Sequence, residues 1–204
     1  MKKRVFIIHG LGAMPTGNWF PWTKNELESR DFEVVAAKMP NPNFPKLNQW
    51  LEKVSGTVGD VDEETFLIGH SLGSFTILKY LESLPEDTKL GGIILVSGFL
   101  NINFLDDKIT SKVLRLILKD FSKEINDFEK IKRICKNIII FHSDNDPLVP
   151  FEQGVNLHKE LGGKFNVIHN GQHLNAGTGN NEFPELVEEL LKISSLIFLP
   201  NILP

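Results

Sequence analysis

The chain has 204 residues, of which 41% are hydrophobic and 24% charged, a balance that suits one globular domain with a full core and excludes an extended disordered chain. The formal net charge of −4 carries no basic footprint, so neither nucleic acid nor an anionic membrane surface is expected as a partner. A single cysteine, Cys135, excludes an internal disulfide and fits a reducing, cytoplasmic setting.

Arg4–Ile8 reads as a strand buried on both faces, with its apolar run starting at Val5. It breaks at His9-Gly10, well short of the apolar core of a secretory signal. The glycine-rich loop His9–Gly17 follows, and Pro21-Trp22 opens a helix to Glu28. A second strand spans Glu33–Ala37, the loop Met39–Pro45 is rich in proline and asparagine, and a helix covers Leu47–Val58. Thr65–Ile68 is the third strand, and a helix runs from the Ser71 turn to about Ser83. Gly92–Ser97 is the fourth strand, and from Phe99 to Arg133 apolar residues recur at helical spacing. Within that stretch, Phe99 to Asp127 reads either as a helix packed on the sheet or as a small lid over Ser71. Asn137–Phe141 gives strand five, and the helix after Pro147 runs through Leu161 and stops at Gly162-Gly163. Phe165–Ile168 gives strand six, and Pro184 begins a last amphipathic helix to about Ser194. This alternation specifies an α/β fold: about six mostly parallel strands with helices on both faces, joined by right-handed crossovers.

In such a sheet, ligands bind beyond the carboxyl ends of the strands, where the strand order switches. The most informative segment there is Gly69-His70-Ser71-Leu72-Gly73, between an apolar strand and a helix. Alone, a Gly-x-Ser-x-Gly pattern arises by chance in roughly one chain in fifteen of this length, so its weight depends on partners. Strand then helix makes it a nucleophile elbow, a sharp turn that projects the serine hydroxyl into the open.

A general base must reach Ser71, and His173, beyond Gly171 in a loop, is the favoured candidate, with His169 a structural neighbour. Asp144 and Asp146 both follow strand five; Asp146 is favoured because Pro147 stiffens its turn. Asp106 and Asp107 are outside candidates that need their loop to fold back. The order Ser71, Asp146, His173 is the one α/β-hydrolases use. Backbone N–H groups of Leu11 and Leu72 are the expected oxyanion donors. His9, Gly10, Gly12, Trp19 and His70 are the candidate pocket residues, although Trp19, Trp22 and Trp50 also read as core.

The chain resembles the small α/β-hydrolases typified by retinoblastoma-binding protein nine. The residues that carry this include Asn18-Trp19-Phe20-Pro21-Trp22, Lys38-Met39-Pro40, Ile68-Gly69-His70-Ser71, Ser143-Asp144-Asn145-Asp146-Pro147 and Gly171-Gln172-His173. The resemblance implies a cofactor-free, metal-independent serine hydrolase with a Ser71, Asp146, His173 triad. It does not bring the retinoblastoma partner: where that family's naming motif has Leu-x-Cys-x-Glu, Arg133 and Asn137 flank Cys135 here.

The expected reaction is cleavage of a small ester, thioester or activated amide through an acyl-enzyme on Ser71, with the substrate as the main partner. The rival reading is a hydrolase-fold binding or scaffold protein, since a fold does not fix a function. A metal site would draw on His142, Asp144, Asp146 and His173, but gives the Ser71 elbow no role. Cys135 reads as a small, partly buried apolar residue. The apolar tail from Leu196 to Pro204 is too short to span a membrane and is expected to dock on its own domain or on a second copy, as a homodimer.

Overall fold

The computed structural model describes residues 2–105 and 109–196. Asp106 and Asp107, and the tail beyond Leu196, lie outside them. Six strands form one sheet in the order β2-β1-β3-β4-β5-β6: β1 Arg4–Ile8, β2 Glu33–Ala37, β3 Thr65–His70, β4 Gly92–Val96, β5 Ile138–Ser143 and β6 Lys164–Ile168. Every adjacent pair is parallel. Seven α-helices occur among the described residues: α1 Phe20–Glu28, α2 Leu47–Val58, α3 Leu72–Ser83, α4 Ile109–Ile117, α5 Phe128–Ile134, α6 Phe151–Leu161 and α7 Pro184–Leu196.

The sheet divides two cores. Phe6, Ile8, Leu67, Ile93, Leu95 and Ile140 face the side covered by α2, α3, α5 and α6. Their neighbours Val5, Ile7, Ile68, Ile94, Val96 and Phe141 face α1 and α7. Alternation is therefore present in space but invisible in composition, because both faces are covered by apolar helices. None of these helices is long and apolar enough to cross a membrane.

Three differences from the sequence reading have local causes. Strands β3 and β5 run past their last apolar residue, because His70 pairs with Val96 and Ser143 with Ile168 in continuing ladders. Residues 99–105 are not helical; Asn101 Oδ1 accepts the Asn103 N–H at 2.9 Å, a side-chain turn that competes with helix. A short 3-10 turn, Ala176–Thr178, falls in a loop read as irregular, where Asn175 and Thr178 cap each other.

Candidate active site

Strand order reverses between β1 and β3, and the segments that carry the candidate residues leave the sheet there. At the end of β3, Ser71 has φ 54° and ψ −117°, a conformation that costs about 1–3 kcal/mol for a residue other than glycine and persists only where its surroundings enforce it. Those surroundings are visible: the Ser71 N–H donates to Val96 O at 2.8 Å, and the Ser74 N–H donates to Ser71 O at 3.0 Å. The turn passes so close to β1 that a Cβ on Gly73 would lie 2.1 Å from Ile8 O. Gly10, in the loop after β1, also comes close to the serine, since a Cβ there would lie 2.9 Å from Ser71 Cβ. Leu72 is the first residue of α3, where a helix leaves its N–H groups without intrahelical acceptors.

Two acid–histidine pairs stand side by side. His173 Nδ1 is 2.8 Å from Asp146 Oδ2, and the other carboxylate oxygen accepts the N–H groups of Leu148 at 2.8 Å and Val149 at 2.9 Å. Burial would push this carboxyl up; the bond and charge from His173, with the two backbone donors, outweigh it and hold the group below the usual range. An ionised Asp146 only accepts, which puts a proton on His173 Nδ1 and leaves Nε2 free as a base. The second pair is His169 Nδ1 with Asp144 Oδ2 at 2.7 Å. Its histidine side chain is 81% exposed, and Asp144 also accepts the Asn170 N–H.

The loop that carries His173 is strained, with Asn170, Gln172 and Leu174 all at positive φ. It is held from several directions. Asn145 Oδ1 accepts the Gln172 N–H at 2.8 Å, Trp19 Nε1 donates to Leu174 O at 2.9 Å, and His70 Nε2 donates to the carbonyl of His173 at 3.0 Å. Asn180 Nδ2 donates to Gly171 O. Burial, reinforced by the neighbouring His173, depresses the His70 pKa to about 3 and keeps the ring neutral.

Ser71 and His173 line one cavity of about 470 Å³, together with His70, Leu72 and the Gly10–Ala13 loop. Of the expected pocket residues, Gly10, Gly12 and His70 line it and so does Leu11. His9 and Trp19 do not. His9 is buried with Nε2 accepting the Met39 N–H, and Trp19 is fully buried as a tie to the His173 loop. Of the metal candidates, Asp144 turns to His169, Asp146 bonds to His173, and His142 Nε2 donates to Val149 O and stays 3.9 Å from Asp146. Cys135 is fully buried, which pushes its thiol up to about 12.

No sequence pattern marks Asn180 or the Trp19 tie as supports for His173. Asn145 is signalled only by its place in the polar run around Asp146.

Sheet order, strand-to-helix serine turn and acid–histidine pair place the protein among α/β-hydrolase folds. Residues 5–192 match the family model described as serine hydrolase, and the chain belongs to that family. It is 34% identical over 190 residues to the YdeN protein of Bacillus subtilis, covering 93% of this chain and 95% of that one. Serine hydrolase RBBP9 of Rattus norvegicus is 29% identical over 180 residues, 88% of each chain. The crystal structure of the ydeN gene product from B. subtilis superposes with a TM-score of 0.86 at 33% identity, covering 95% of this chain and 99% of that one.

Proposed function

We propose that the protein is a metal-independent serine hydrolase that cleaves a small ester, thioester or activated amide through an acyl-enzyme on Ser71. The observation that carries this reading is the convergence of the strained Ser71 turn, the Gly10 loop and the Asp146–His173 pair on one cavity at the strand switch. Ser71 Oγ attacks the carbonyl carbon while His173 Nε2 takes its proton, and Asp146 stabilises the imidazolium. The carbonyl oxygen becomes an alkoxide facing the N–H groups of Leu11 and Leu72; one such donor contributes about 3 kcal/mol in the transition state. Collapse breaks the bond to the leaving group, which departs with the proton from His173. Water then attacks the acyl-enzyme by the same route and restores Ser71. His70 and Asn145 serve as positioning residues, acting through the His173 loop.

Hydrolysis of p-nitrophenyl acetate by the purified protein tests this. Turnover that survives EDTA dialysis and vanishes in a folded Ser71→Ala variant is the expected outcome. Activity lost to EDTA and restored by a metal would overturn metal independence, and undiminished activity in Ser71→Ala would overturn the role of the serine.

A further inference from the structure

Two groups of residues line the cavity. Beside the candidate catalytic groups are Asn18, Asn175, Gly177 and the Gly10 loop, with Leu72 and with Leu148 and Val149 of the Asp146 turn. The crossover between β4 and α5 supplies a different wall, made of Phe99, Phe104, Leu105, Leu114 and Leu118. A charged substituent drawn against this wall would lose hydration, and none of the described lining residues is an Asp, Glu, Lys or Arg that could offset the loss.

The wall is braced. Phe99 stacks on Phe75 with centroids 5.7 Å apart, Phe104 meets Phe99 edge-on at 5.5 Å, and Phe121 packs against both Phe75 and Trp50. Arg115, on α4, donates to the carbonyl of Leu105 and ties the helix to the preceding loop.

Proton transfer decides which half of a substrate meets this wall. His173 must deliver its proton to the leaving oxygen or sulfur. The leaving group therefore lies on the His173 side, beside Asn175 and Gly177, and the acyl substituent points away from it. We infer that the apolar wall is an acyl pocket, and that the enzyme acts on esters and thioesters of uncharged, apolar medium-chain acyl groups whose length is limited by Leu114 and the residues around it. This inference rests on the serine hydrolase reading and adds the acyl class to it. In the step itself, Ser71 Oγ bonds to the acyl carbon, the carbon–oxygen or carbon–sulfur bond breaks, and the leaving atom takes the proton from His173.

The experiment holds the leaving group constant as p-nitrophenol and varies the acyl group from acetyl to dodecanoyl, with the succinate half-ester as a charged match for butanoyl. Burial of each added methylene should raise kcat/KM severalfold up to the pocket's limit, giving at least about a thirtyfold gain from acetyl to octanoyl. The succinate half-ester should be cleaved at least about tenfold more slowly than the butanoyl ester. Leu114→Trp should lower the octanoyl-to-acetyl ratio, and Leu114→Ala should raise the dodecanoyl-to-octanoyl ratio. A flat chain-length profile, a preference for the charged ester, or ratios unmoved by both variants would overturn the inference while leaving the hydrolase reading intact. If no ester is cleaved and Ser71 fails to react with a fluorophosphonate, the hydrolase reading fails and takes the acyl pocket with it.

Discussion

Asp144 and Asp146 are two residues apart on the same turn, yet their surroundings assign them different work. Asp146 is buried, bonded to His173 and fed by two backbone N–H groups, whereas Asp144 pairs with an exposed histidine at the rim. Proline stiffening favours Asp146 from sequence, but the separate partners of the two acids depend on where β6 delivers His169 and His173, which no local pattern encodes. Asp146→Asn removes the charge and permits the wrong imidazole tautomer, so kcat/KM for p-nitrophenyl acetate should fall by about 10⁴. Asp144→Asn should stay within about threefold of wild type, the scale of an ordinary surface substitution. Equal losses in the two variants would mean that the Asp144–His169 pair shares the chemistry.

At the scale of elements, strands and helices are readable wherever an apolar run has polar or glycine punctuation, and β1, β2 and α2 begin and end at the expected residues. In the segment after β4 the helical pattern is blurred, because its apolar residues serve two purposes. Leu114 and Leu118 face the cavity, Phe121 is fully buried against Trp50 and Phe75, and Leu116 is 73% exposed. One periodicity cannot report both a core and a cavity wall. If this segment is an integral part of the core, Phe121→Ala should cost about 3–5 kcal/mol in urea unfolding. A cost below about 1 kcal/mol would instead describe an excursion that moves independently of the sheet.

Across the whole molecule, the three histidines at the carboxyl ends of β1, β3 and β5 are buried and neutral. Burial lowers the affinity of His9, His70 and His142 for a proton, and it takes His70 to about 3 from an ordinary value of 6.5. Between those limits the unfolded chain binds a proton at His70 that the folded chain does not, so folding stability falls as pH drops from 6.5. The slope is about 1.4 kcal/mol per pH unit for one fully responding group. Urea unfolding at pH 6.5, 5.5 and 4.5 should show this decline, and His70→Gln, which retains an N–H donor for the His173 carbonyl, should make it shallower by one proton. An unchanged slope would place the acid sensitivity elsewhere. The same long-range organisation explains what the sequence concealed about the site. Ser71, Asp146 and His173 stand out because each follows a strand and has turn residues beside it. Trp19 supports Leu174 across 155 positions of chain, and His70 supports His173 across 103, through single hydrogen bonds with no sequence pattern.

Activation of Ser71 is read out by incubating the folded protein with a fluorophosphonate and locating the adduct by intact mass and peptide mapping. One adduct is expected, on Ser71, absent from Ser71→Ala and formed far more slowly in His173→Ala. A folded wild-type protein that acquires no adduct, or acquires it at another residue, would contradict an activated Ser71.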